Sequence, residues 1–182
     1  MPIGRFFRRR PPEEEAARAL YETVVTQARR PEFYMAGGVA DTIDGRFDMV
    51  ALHAWLTLAR LRSEGAKAAA LSQAFYDLMF ADMDQNLREM GVGDLGVGKR
   101  VMKMAEALNG RVAAYDQGLA DSGDALVDAL RRNLYRKSAP SDGQVASMAA
   151  HVRRQSAHLA GQAAEELLAG RIDFAPPEEF VQ

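Results

Sequence analysis

Apolar residues recur at spacings of three and four from about residue 12 to residue 170, and almost no stretch alternates apolar with polar as a half-buried strand does. The pattern predicts an all-α chain, a single-domain helical bundle of about six helices. Pro11 and Pro12 followed by Glu13, Glu14 and Glu15 place proline at a helix entry and acids against the positive end of its dipole. The first helix is therefore expected from residue 12 to about Arg30, stopping before Pro31. Residues 31 to 45 read as a long ordered loop between helices 1 and 2. Gly37-Gly38 and Asp44-Gly45 are turn pairs there, and Phe33, Tyr34 and Met35 make the loop too apolar for an idle linker.

From Arg46 to Arg62, Phe47, Val50, Ala51, Ala54, Leu58 and Leu61 form one stripe, and Met49, Leu52, Leu56 and Ala59 a second; a helix apolar on two sides belongs at the centre. The next helix, about Ala66 to Met90, aligns Phe75, Met79, Met83, Leu87 and Met90 on one face before Gly91 and Gly93 stop it. Asp94 reads as the N-cap of a further helix carrying Val97, Val101, Met104, Leu108, Val112 and Tyr115, with a kink or break expected at Asn109-Gly110. A shorter helix over roughly Gly123 to Lys137 precedes Ser138-Ala139-Pro140. Ser141 with Gln144 is a capping-box pattern opening a last helix to about Ala169, which Gly170 ends. The domain expectation is a basic arm over residues 1–11, a helical domain over 12–170 and a tail over 171–182 that Pro176-Pro177 keeps extended.

A chain of 182 residues can bury roughly 70% of its unfolded surface in one core. The absence of cysteine excludes disulfides, thiolate metal sites and cysteine nucleophiles. No stretch approaches the roughly 20 apolar residues of a spanning helix, and the start lacks the apolar run of a secretory signal. The net charge of −2 is unevenly spread: the first twelve residues hold Arg5, Arg8, Arg9 and Arg10 and no acid, so the rest of the chain carries −6. A body of that sign is a poor general nucleic-acid binder, and no specific nucleic-acid partner is expected. The arm combines Phe6 and Phe7 with Arg5, Arg8, Arg9 and Arg10. Each basic residue near an anionic bilayer is worth about 1 kcal/mol, so the arm suits weak, reversible contact with a membrane surface. A disordered solubilising terminus is the competing reading.

Several chemistries fail on inspection. Gly93 to Lys99 has the glycine and lysine spacing of a phosphate-binding loop, yet Arg100 stands where Ser or Thr must hold magnesium, and the preceding segment is a helix rather than a strand. Lys99 and Arg100, near a helix start where the dipole disfavours cations, suit a partner better. His53, His151 and His158 all lack a carboxylate three residues earlier, which removes the di-iron signature of helical bundles, and His53 reads as a hydrogen-bonded structural residue. Asp41, Asp44 and Asp48 do not make a calcium loop, because alignment on Gly45 puts Ala40 and Ala51 at the first and last ligand positions. Neither cofactor nor metal nor catalytic residue is expected.

Two blocks carry a family resemblance. One is Arg30-Pro31-Glu32-Phe33-Tyr34 with Gly38-Val39-Ala40-Asp41-Thr42-Ile43-Asp44-Gly45-Arg46-Phe47-Asp48 and Leu52-His53-Ala54-Trp55-Leu56. The other is Asp82-Met83-Asp84 with Leu87-Arg88-Glu89-Met90-Gly91-Val92-Gly93-Asp94 and Val97-Gly98-Lys99-Arg100. Together they resemble the ubiquinol–cytochrome c chaperone family over about residues 15 to 170. The resemblance implies a helical, non-catalytic chaperone that binds newly made cytochrome b and assists biogenesis of ubiquinol–cytochrome c reductase, respiratory complex III. It also implies a small partner subunit and work near the ribosome exit. The missing presequence leads us to expect a bacterial cytoplasmic protein, peripheral at the inner face of the plasma membrane.

Covering apolar client surface reversibly calls for an exposed groove with a charged rim. We expect the 33–47 loop and the turn from Gly91 to Lys99 beside it, with Phe33, Tyr34, Asp41, Asp44, Arg46, Asp82, Asp84, Arg88, Glu89 and Lys99 as partner-binding residues. Internal bracing is the other open reading of the charges; Arg88 with Asp84 would be worth about 0.2–0.5 kcal/mol. Two readings from other classes stay open: a peripheral lipid-binding helical module and, ranked lower, a helical enzyme acting on a quinone or lipid.

Overall fold

The computed structural model describes residues 11–89, 94–177 and 180. The architecture is an all-α bundle in one domain, in the order α1 (Pro12–Ala28), α2 (Pro31–Met35), α3 (Ile43–Ser63), a 3-10 turn (Gly65–Ala68), α4 (Ala69–Glu89), α5 (Asp94–Ala120), α6 (Ala125–Asn133), α7 (Asp142–Ala160) and α8 (Ala164–Leu168). α3 is the axis. Every residue from Ala51 to Leu58 is buried, so both predicted stripes face neighbours. α1 covers one side through Ala17, Leu20, Val24 and Ala28 and packs on α4 and α3. The α4 stripe of Leu71, Phe75, Met79, Met83 and Leu87 is buried as its spacing demands; Met90 lies outside the described residues, as do Gly91, Gly93 and residues 1–10 of the basic arm.

Beside shifted helix ends, among them Asp44-Gly45 lying inside α3 rather than in a turn, three larger differences from the sequence reading stand out. Residues 31–45 are not all loop: Pro31 sits at the first position of α2, where its fixed φ is already helical, and Phe33 on that short helix is fully buried. α5 is unbroken through Asn109-Gly110. Both residues face outward and a Cβ at Gly110 would meet nothing within 4 Å, while Leu108 and Arg111 on either side are buried. Packing on α6 and α4 thus carries the helix across a propensity penalty of about 1 kcal/mol. The last predicted helix is two: α7 stops at Gly161 and α8 follows, ended by Gly170 at φ 81°. The capping box opening α7 is complete, Ser141 accepting from the Gln144 amide at 3.1 Å and Gln144 accepting from the Ser141 amide at 2.9 Å.

After α8 the chain turns back over the bundle as an extended strap. Gln155 brackets Ala175, donating to its carbonyl at 2.6 Å and accepting from its amide at 3.0 Å. This seats Phe174 and Phe180 over a buried cluster of Phe33, His53 and His151. His53 donates through Nδ1 to the Met49 carbonyl at 2.9 Å, one turn earlier on α3. His151 accepts at Nδ1 from Arg154 at 3.3 Å. Neither Nε2 has a hydrogen-bond partner among the described residues. Burial in this apolar box pushes the His53 imidazole down to about 4, and burial with the neighbouring His53 pushes His151 down to about 3.

An unfolded histidine titrates near 6.5. Between that pH and 4 the unfolded chain takes up protons that the folded chain refuses, so stability is full above 6.5 and falls as pH drops. The slope reaches about 1.4 kcal/mol per pH unit for each histidine. Urea unfolding at pH 7, 6 and 5 should show this loss, and His53→Leu should reduce the slope by about one proton's worth.

Candidate functional site

The start of α3 is fixed by contacts that leave little freedom. Thr42 caps the helix, accepting from the Gly45 amide at 3.1 Å. Gly45 is required because a Cβ there would lie 2.0 Å from the Ala40 carbonyl oxygen, so any larger residue would push the 36–42 segment away. That segment is tied down elsewhere by Tyr135, whose hydroxyl donates to the Gly37 carbonyl at 2.7 Å, and by Gln144, which donates to Ala36 at 2.9 Å. Asp44 and Asp48, one turn apart, then face the same neighbours.

Asp48 is 3% exposed and takes a guanidinium on each oxygen: Arg111 of α5 at 2.8 Å, itself 8% exposed, and Arg136 of the α6–α7 link at 2.8 Å. Burial pushes its carboxyl up from the usual aspartate value, while Arg136 and Arg111 pull it down. Arg111 also lies over the Phe47 ring, 5.4 Å from its centroid. One carboxylate thereby joins α3, α5 and the α6–α7 link. Asp44, nearer the surface, pairs with Lys137 and stands 3.8 Å from Arg136; its hydrogen bond to Lys137 holds its carboxyl below the usual range.

Above this clamp opens a groove of about 670 Å³. Phe47, Leu87, Met104 and Ala107 form its apolar floor and Ile43, 68% exposed, its lip. Arg100, Lys103, Arg111 and Arg136 supply cations around it, against the single lining carboxylate of Asp44. On α5 the contributors Arg100, Lys103, Met104, Ala107 and Arg111 follow helical three- and four-residue spacing and so share one face.

The residues expected from sequence scatter around this groove. Asp44 lines it. Phe33 is sealed in the histidine cluster, and Tyr34 is half-buried, its hydroxyl donating to the Ala28 carbonyl at 2.7 Å and pushed up to about 12 by burial. Asp41 and Arg46 pair at 2.7 Å on the surface, the hydrogen bond holding Asp41 below its usual range. On α4, Asp82 accepts from the Tyr21 hydroxyl at 2.8 Å, Asp84 pairs with Arg88 at 2.6 Å, and Glu89 accepts from Gln85 at 2.9 Å. Lys99 is exposed on the first turns of α5. Arg5, Phe6, Phe7, Arg8, Arg9 and Arg10 lie outside the described residues. Asp41, Asp44 and Asp48, which invite a calcium reading, each meet cations of the chain itself. Among the described residues no three histidine or acidic side chains gather to hold a metal ion.

Sequence reasoning missed Arg111 and Arg136 as parts of the site. The α5 stripe from Arg100 to Arg111 offered a signal at helical spacing. Arg136 offered none, since it reaches Asp48 from 88 residues away.

The family model described as "Ubiquinol-cytochrome C chaperone" matches residues 36–174. The mouse (Mus musculus) protein named ubiquinol-cytochrome c reductase complex assembly factor 1 is 26% identical over 162 residues, covering 88% of this chain and 55% of that protein. Protein CBP3, mitochondrial, of Saccharomyces cerevisiae is 27% identical over 149 residues, covering 80% of this chain and 44% of the yeast protein. The chain thus spans about half the length of these curated relatives. The crystal structure of the Cbp3 homolog from Brucella abortus superposes with a TM-score of 0.82 at 35% identity, covering 93% of this chain and 94% of that one.

Breaking the buried clamp strands charge. Asp48→Asn should cost roughly 3–5 kcal/mol by urea unfolding, because the buried Arg111 guanidinium loses its counter-charge in the interior. Asp41→Asn, at an exposed pair, should leave the unfolding midpoint unchanged.

Proposed function

The chain belongs to the ubiquinol–cytochrome C chaperone family, and from that premise we propose that it assists biogenesis of ubiquinol–cytochrome c reductase by holding newly made cytochrome b in the groove between α3, α4 and α5. The observation that carries this reading is the groove itself, an apolar floor open to solvent and rimmed by charge. An unfinished membrane protein presents apolar side chains that must be covered and later released. A shallow floor of Phe47, Leu87, Met104 and Ala107 provides that cover, and the deformable thioether of Met104 suits varied apolar partners.

The chain is proposed to work without bond chemistry. Asp44 and Asp48 are already committed to arginine and lysine partners, and the buried imidazoles face an apolar box rather than the groove. No helix among the described residues is long and apolar enough to cross a membrane. The basic, aromatic arm is proposed to hold the chaperone against the inner face of the membrane that receives its client. A small partner subunit and the ribosome exit complete the reading that the family resemblance supports.

Capture of tagged protein from cells making cytochrome b tests the proposal. Wild-type chain should retain cytochrome b, and Met104→Glu, with an unchanged circular dichroism spectrum, should retain at most about a tenth as much, the loss expected when a charge enters an apolar contact. Undiminished capture by that variant would remove the groove as the client site.

A further inference from the structure

Among the described residues, the charges on the rim are not balanced. The lining carries four cations and one carboxylate on a chain whose net charge is −2. Asp44 is spent on Lys137 and Arg136, and Asp48 beneath the floor on Arg111 and Arg136. Arg100 and Lys103 are exposed, and neither makes an ion pair among the described residues. Lying three positions apart, they stand one helical turn from each other on the face that also carries Met104 and Ala107.

Resting on the reading of this groove as the client site, we propose that it selects an acidic amphipathic segment, one that lays apolar side chains on Phe47, Leu87, Met104 and Ala107 and turns carboxylates toward Arg100 and Lys103. A purely apolar segment would cover the floor but crowd two unmatched cations, and a basic one would be repelled. A guanidinium meets a carboxylate through paired hydrogen bonds, which adds orientation to attraction. The α5 face from Arg100 to Arg111 is about 16 Å long, room for roughly three turns of a docked helix. Arg5, Arg8, Arg9 and Arg10 of the chain's own arm carry the same sign as these cations and supply no carboxylate to match them. A flat anionic bilayer fits less well, because the apolar side chains line a concavity rather than a plane.

The experiment uses the full chain and fluorescent amphipathic peptides of about 15 residues, identical in apolar positions and carrying Glu, Gln or Lys at the polar ones. Binding is read by anisotropy at about 50 and about 300 mM salt. The Glu peptide should bind about tenfold tighter than the Gln peptide at low salt and lose most of that margin at high salt. The double variant Arg100→Glu, Lys103→Glu should transfer the preference to the Lys peptide, and Met104→Glu should weaken all three. Equal binding of the three peptides overturns the inference, and if Met104→Glu still abolishes that binding, the client-site reading stands without it. Binding of phosphatidylglycerol vesicles through Arg100 and Lys103, with no peptide bound, overturns it in favour of a membrane contact. If no peptide binds and Met104→Glu leaves cytochrome b capture intact, inference and client-site reading fall together.

Discussion

Asp48 is where three separate parts of the bundle meet. Its carboxylate is removed from water, and each oxygen is matched by a guanidinium, one on α5 and one on the link between α6 and α7. Neither arginine is near Asp48 in sequence, so the ion pairs form only when the whole bundle has closed. A buried ionic clamp contributes little net stability compared with well-packed apolar residues, but it is intolerant of misplacement. Here it joins the N-terminal part of α3 to α5 beneath the groove, with Arg111 lying over Phe47. Gly45 supports the same geometry from the other side, since the Ala40 carbonyl occupies the space a side chain would need.

Around this point two populations of charge have different work. Asp44, Asp48, Arg111, Arg136 and Lys137 are consumed in holding the walls together. Arg100 and Lys103 stand on the rim without such a commitment among the described residues. A chaperone must bind apolar surface without becoming part of it. A floor of four apolar side chains, from buried Leu87 to exposed Ala107, gives modest contact area, and exposed charge at the edge gives orientation while remaining sensitive to ionic strength. Membership of a family described as a ubiquinol–cytochrome c chaperone fits a site of this kind better than an enclosed pocket with a free acid or base.

Much of the fold was legible because the helices announce themselves through apolar spacing. The two-sided stripe of α3 identified the central helix, the stripe from Phe75 to Leu87 gave the inner face of α4, and Ser141 with Gln144 located the start of α7. Local propensity misled at Asn109-Gly110, where the neighbours of α5 outweigh two poor helix formers, and the aromatic content of residues 31–35 hid a helical turn that begins on Pro31. The site was less legible. The sequence pointed to the entry of α3 and to the start of α5, and Asp44 does line the groove. Phe33, by contrast, is buried, because aromatic character alone does not separate a surface anchor from a core residue. Tyr21 with Asp82, and Asp48 with Arg111 and Arg136, are pairings that only the closed bundle creates, and spacing along the chain carries no trace of them.

Site-specific photo-crosslinking during synthesis of cytochrome b distinguishes a groove that receives that protein from an idle surface. A photoreactive residue placed at Ala107, exposed within the groove, and a control at Ala113, exposed on another face of α5, would each be activated while cytochrome b, the proposed client, is being made. An adduct with cytochrome b from position 107 and none from position 113 is the expected result. Equal adducts from both positions, or none from 107, would contradict a groove that receives the client.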